Sequence, residues 1–268
     1  METLDSFRNK LNSIEEIDDY DEKMAQEIFI IFKNSNENWE NDDVIVQNVK
    51  NWSKLKNITH INLFKCIKNQ STNKKYACLL GFLYRWGIGI ASDQEKAFHW
   101  YKVSAEIGDS LGQNELGSCY DYADGVDMDM SKAFYWYHKS ALAGNAFGQH
   151  NIGLCFRLGI GTCQDDCQAF FWFQEAAKVG HRGGQTELGQ CYSNGYGVKQ
   201  DLRKGYYWLC RAATAGNTMA QSLVADRQQY GLGTFRDIHE AIKWHRKVIQ
   251  AMEQPEYPKL IWLFQQDL

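Results

Sequence analysis

No stretch of about 18 consecutive apolar residues occurs in this 268-residue chain, which excludes a membrane-spanning helix. The opening METLDSFRNKLNSIEE lacks the apolar core of a secretory signal, so a cytoplasmic location is expected. Basic runs are missing as well. The formal net charge is -4 and lysine and arginine are scattered, which removes the electrostatic footprint of a nucleic-acid partner. A Gly-rich strand loop, a His-Arg-Asp catalytic loop and an Asp-Phe-Gly triplet are all absent, and kinase-type phosphoryl transfer needs those groups. What is present, 44% hydrophobic and 23% charged side chains, is the composition of a globular protein with a substantial core.

Tryptophan recurs at Trp100, Trp136, Trp172, Trp208 and Trp244, each 36 residues after the last. Other columns hold the same phase: Gly89, Gly125, Gly161, Gly197 and Gly233; Asp93, Asp129, Asp165, Asp201 and Asp237; Gly81, Gly117, Gly153 and Gly189; Gly108, Gly144, Gly180 and Gly216. A strict period of this length marks a stacked-repeat protein.

Within one period, residues 110–145, Gly112, Leu116, Gly117 and Tyr120 recur at helical spacing before a break near Gly125, which defines a helix A. After Asp129, a second run places Ala133, Trp136, Tyr137, Ser140 and Ala141 on one face and ends at Gly144, which defines a helix B. The recurring Asp suits the unpaired N–H groups of a first helical turn, and the closing Gly suits a left-handed stop. The Gly-x-Gly pairs, such as Gly195-Tyr196-Gly197, follow helices rather than strands and read as turns, not phosphate cradles. Glycine inside helix A costs about 1 kcal/mol against alanine, so its recurrence implies a closely approached backbone, with the helix B tryptophan expected to fill the adjoining space. Each tryptophan is therefore expected in the core.

Cys191-Tyr192-Ser193-Asn194-Gly195-Tyr196-Gly197-Val198-Lys199-Gln200-Asp201, completed by Trp208 through Gly216 as WLCRAATAG, resembles the Sel-1-like repeats, relatives of the tetratricopeptide repeats. The resemblance runs from about Tyr76 to Gln250 and implies an all-α superhelix of antiparallel helix pairs. It also implies use as a scaffold or adaptor for other proteins, with regulation of a signalling kinase or a cell-wall synthase complex as a narrower alternative. A penicillin-binding or β-lactam-hydrolysing branch of the family carries paired cysteines near the end of helix B and about eight residues on. Here those columns hold Glu106 and Gln113 or Asn114.

The expected organisation is a helical leader over residues 1–57, a solenoid over 58–253 and a short capping helix over 254–268. The five repeats fall near 74–109, 110–145, 146–181, 182–217 and 218–253. The leader shows the stripes Leu4, Phe7, Leu11, Ile14; Met24, Ile28, Ile31; and Ile45, Val49, Trp52, with a loop expected between Asn34 and Asp43. One more helix is expected over Ile58 to Asn69. Beyond Pro255 and Pro258, the run Leu260, Ile261, Trp262, Leu263 and Phe264 reads as the cap of the last repeat's open face.

Repeat-to-repeat comparison separates scaffold from variable surface. The positions that recur in helix A lie within about 140° of one another at 100° per residue and form the packed side. Three positions change freely: Asn114, His150 and Thr186; Ser118, Leu154 and Gln190; Asp121, Arg157 and Ser193. Their i, i+4, i+7 spacing makes one stripe, the expected groove for a protein or peptide partner. No catalytic residue, cofactor or metal is assigned. His150 and His181 have no second ligand at metal spacing on their own helices and are expected to be solvated or hydrogen-bonded. Cys163 and Cys167 lack two further zinc ligands, the acidic turn Asp121, Asp124, Asp127, Asp129 lacks the spacing of a calcium loop, and Cys119, Cys155 and Cys191 share a buried column.

Overall fold

A computed structural model of the chain describes residues 21–36 and 42–252. The stripe from Leu4 to Ile14 and the run over residues 260–264 lie outside the described residues. Among those described, every regular element is helical. Residues 21–36 form α1, followed by α2 (Asp42–Leu55), α3 (His60–Asn69) and a 3-10 turn at Lys74–Tyr76. Five helix pairs come next: α4 (Ala77–Trp86) with α5 (Gln94–Glu106), α6 (Ser110–Tyr122) with α7 (Met130–Leu142), α8 (Ala146–Leu158) with α9 (Asp166–Lys178), α10 (Arg182–Asn194) with α11 (Leu202–Thr214), and α12 (Thr218–Tyr230) with α13 (Ile238–Met252). The loop expected from Asn34 is shorter than the sequence suggests, because α1 runs on to residue 36 and the Asn36 amide donates back to the Phe32 carbonyl at 2.7 Å.

Two compact units divide the chain, residues 1–140 and 141–268. In the first, the leader helices and the opening repeats share one core: Met24, Ile28, Phe32, Ile45, Val49 and Trp52 pack with Leu63, Leu79, Leu83, Tyr101 and Leu116. Edge-on and tilted aromatic pairs join them, Phe29 to Tyr76 at 5.5 Å, Phe32 to Phe82 at 5.1 Å and Phe64 to Tyr84 at 5.2 Å between ring centroids. Smaller clusters lie in the second unit, one around Phe173, Leu188 and Cys191 and another around Leu209, Ala212 and Val224.

The turn between helices A and B is fixed by the aspartate column twice over. The carboxylates of Asp93, Asp129, Asp165, Asp201 and Asp237 accept from the backbone N–H three residues on, at 2.9–3.0 Å. Their own N–H groups donate to helix A carbonyls, from Asp93 to Tyr84 at 3.0 Å through Asp201 to Tyr192 at 2.7 Å. Helix A has a cap column of its own, which the sequence reading missed: Asp109, Asn145, His181 and Asn217 accept from the N–H three residues on at 2.8–3.2 Å. Helix A ends on a left-handed residue, a glycine at 87, 159, 195 and 231 but Ala123 (φ 60°) in the second repeat.

The residue that covers the helix A glycine is not the tryptophan but its successor. A Cβ placed on Gly81, Gly117 or Gly153 would lie 2.6–2.7 Å from the rings of Tyr101, Tyr137 and Phe173, and on Gly189 it would lie 2.8 Å from Leu209 Cγ. Consecutive residues of a helix point about 100° apart, and the tryptophan turns toward the cluster edge. Trp172 is buried, whereas Trp100, Trp136, Trp208 and Trp244 are half-buried. The buried glutamines Gln113 and Gln221 tie helix A to the preceding helix B, their amide nitrogens donating to the Ala105 and Ala213 carbonyls at 3.4 and 3.2 Å.

Candidate functional site

The expected stripe is partly withdrawn from solvent. In the first unit, Asn114 on α6 is buried and donates to Glu115 at 3.0 Å, while Ser118 and Asp121 are half-buried. Asp121 accepts from the Tyr137 hydroxyl at 3.2 Å. In the second unit, Thr186 and Ser193 are buried, their hydroxyls donating to the Arg182 and Gly189 carbonyls one turn back at 2.9 and 2.6 Å. Asn114, Thr186 and Ser193 thus spend their polar groups inside the packing. Ser118 and Asp121 in one unit, and His150, Leu154, Arg157 and Gln190 in the other, retain surface.

The stripe is also a seam between successive A helices. Arg85 on α4 pairs with Glu115 on α6 at 3.2 Å and with Asp124 at 3.0 Å. Arg157 on α8 pairs with Glu187 on α10 in the same relation, 30 residues on. Burial raises both Glu115 and Glu187 above the ordinary carboxylate range, against the pull of the arginine beside each. Arg85, Glu115 and Glu187 lie outside the expected stripe residues, because their pattern does not repeat in adjacent repeats. Arginine at 85 and 157 and glutamate at 115 and 187 recur at an interval of two repeats, 72 residues.

His150 and His181 come together from different elements. Their ring centroids are 4.9 Å apart, and Phe147 and Phe173 flank them at 5.0 and 6.0 Å. His181 Nδ1 accepts from Gly184 N–H at 3.0 Å and so caps α10 in the form that leaves this nitrogen unprotonated. Desolvation lowers His150 to about 4 and His181 to about 3, with Arg157 repelling the first and with His150 and Arg182 repelling the second. Inspection of one helix at a time could not reveal this pair.

The remaining candidates fall apart spatially. Asp124 serves Arg85, Asp129 caps α7, Asp121 receives Tyr137 and Asp127 is exposed, so the acidic turn is spent on separate contacts. Cys119, Cys155 and Cys191 are buried, with burial pushing the Cys119 and Cys191 thiols up to about 12. Cys163 and Cys167 are both exposed. Among the described residues, no group of three or more His, Cys, Asp or Glu side chains is placed to hold a metal ion, and no helix is long and apolar enough to cross a membrane.

Comparison with known proteins places this geometry. A Sel1 repeat protein from Oxalobacter formigenes aligns with a TM-score of 0.67 and 27% identity over 72% of this chain and 77% of that one. The c5321 protein, a protective antigen of uropathogenic Escherichia coli strains displaying an SLR fold, aligns with a TM-score of 0.65 and 26% identity over 75% of this chain and 44% of the antigen. No curated protein matches. The Sel1 repeat model matches five consecutive segments, 75–109, 110–145, 146–181, 183–217 and 218–249, and repeats of this kind generally build protein-interaction scaffolds. With most of its length accounted for in this way, the chain belongs to the Sel1 repeat family.

Proposed function

We propose that the protein is a non-enzymatic scaffold or adaptor that binds a peptide or protein partner along the helix A stripe. One observation carries the reading. Within a turn architecture repeated almost residue for residue, the half-exposed stripe positions Ser118, Asp121, His150, Leu154, Arg157 and Gln190 change chemistry from repeat to repeat. Constant packing with variable surface is how repeat proteins separate stability from recognition. An arginine beside apolar neighbours suits a carboxylate-bearing peptide. A cytoplasmic site of action belongs to the same proposal, and regulation of a signalling kinase or cell-wall synthase complex stands as its narrower alternative.

Affinity capture with the full chain and with Asp121→Lys and Arg157→Glu forms tests it. Partners should be lost from at least one charge-reversed form while its circular dichroism stays unchanged. A partner set identical in all three would remove the stripe from consideration. Turnover of a chromogenic β-lactam above the buffer rate would overturn the non-enzymatic reading.

A further inference from the structure

The first repeat shows what a helix A stripe receives. Its stripe positions, one period before Asn114, Ser118 and Asp121, are Cys78, Phe82 and Arg85 on α4. The leader covers Phe82 and brings a carboxylate toward Arg85. The Phe32 ring of α1 sits 5.1 Å from that of Phe82, which is left 4% exposed. Asp42, in the first turn of α2, lies in the field of Arg85. An aromatic ring from the leader thus meets an apolar residue of helix A, and a leader carboxylate lies in the field of the arginine beside it.

Two repeats later, the second unit presents the same set on α8. Leu154, Arg157 and Leu158 stand at the positions of Phe82, Arg85 and Trp86, and Glu187 stands at that of Glu115. The supporting contacts recur: Arg157 pairs with Glu187, as Arg85 does with Glu115, and its guanidinium lies 5.8 Å from the Phe173 ring centroid, Phe173 being the counterpart of Tyr101. Among the described residues, the cover does not recur. Leu154 is half-buried where Phe82 is buried, and Leu158 is 60% exposed where Trp86 is 40% exposed. The position of Asp124 is taken by Tyr196, so among the described residues Arg157 has one carboxylate in ion-pair contact where Arg85 has two. An arginine carries five donors, and a single carboxylate cannot use them all.

We propose that Leu154, Arg157 and Leu158 form a docking site for a segment of a partner protein that presents an aromatic side chain and a carboxylate, as Phe32 on α1 and Asp42 on α2 do beside Phe82 and Arg85. This rests on the scaffold reading and names the chemistry of its partner. The aromatic ring enters the apolar step between Leu154 and Leu158, and the carboxylate meets the guanidinium edge not used by Glu187.

The probe is a fluorescein-labelled synthetic peptide of residues 24–43 of this chain, added to the full-length protein and followed by anisotropy. Saturable binding is expected. Phe32→Ala or Asp42→Asn in the peptide, and Leu158→Glu in the protein, should each weaken it about tenfold or more. Absence of saturable binding overturns the proposal. So does binding unchanged by Leu158→Glu in a protein of native circular dichroism, which would place the peptide on the first repeat or elsewhere. A native partner that is released by Arg157→Glu but not competed by the peptide overturns this chemistry and leaves the scaffold reading standing. A native partner indifferent to Arg157→Glu, found alongside peptide binding that depends on Leu158, overturns the stripe as its seat and leaves the docking site.

Discussion

Replacing Gly153 by alanine separates two opposing effects that the repeat pattern alone cannot rank. Alanine is favoured over glycine inside a helix by about 1 kcal/mol. Against this, the added methyl would lie 2.6 Å from Phe173 Cε1 and 2.7 Å from Cδ1, inside any tolerated carbon contact. Phe173 is fully buried among Ala169, Ala177, Leu188 and Cys191, so the ring has no open space into which to swing. Overpacking of this kind costs about 1–3 kcal/mol, and the net expectation is a loss of up to about 2 kcal/mol, read as a lower urea midpoint at unchanged slope. In a Phe173→Val background the ring is gone and the same substitution should become neutral or stabilising. A Gly153→Ala effect of equal size and sign in both backgrounds would refute the ring-on-backbone account.

Other perturbations follow from single contacts. Ala123→Gly relieves the left-handed alanine (φ 60°) that closes α6 and should raise stability by about 0.5–1 kcal/mol, measurable as a higher Tm. Asp165→Ala removes the carboxylate that accepts from Gln168 N–H at 3.0 Å and should lower stability by about 1 kcal/mol at pH 7 in chemical denaturation. The histidine pair predicts acid sensitivity. Both folded values lie below the ordinary histidine value of 6.5, so below that pH the unfolded chain binds protons that the folded chain excludes, and stability falls from pH 6.5 toward about 4. His181→Asn keeps a cap, as Asn145 and Asn217 do in the same column, and removes one titration. Relative to the parent it should gain about 2 kcal/mol between pH 7 and pH 5; parallel pH–stability curves would count against the buried pair.

Periodicity made the helix pairs legible because every repeat must solve the same turn, and the Asp and Gly columns are the residues that turn admits. The partner of the helix A glycine was not legible. Trp136 stands in the invariant column and Tyr137 in one that varies through Tyr, Phe, Leu and His, so regularity points to the wrong ring, and only the rotation between them decides which one meets Gly117. The stripe was found by its variability, yet variability does not distinguish solvent from a seam between neighbouring A helices, and Asn114, Thr186 and Ser193 proved to be inside. His150 with His181, and Arg157 with Glu187, escaped because each pair joins different helices at separations of 31 and 30 residues, whereas spacing rules operate within one helix.

The arginine–glutamate pairs give the array a unit of exchange larger than the repeat. Excising residues 110–145 would set Arg85 opposite Asn151 in place of Glu115, whereas excising residues 110–181 would set it opposite Glu187 and restore a matched charge. Recombination that preserves this seam therefore proceeds in steps of two repeats, and shortened or lengthened versions of the chain should tolerate even changes in repeat number better than odd ones.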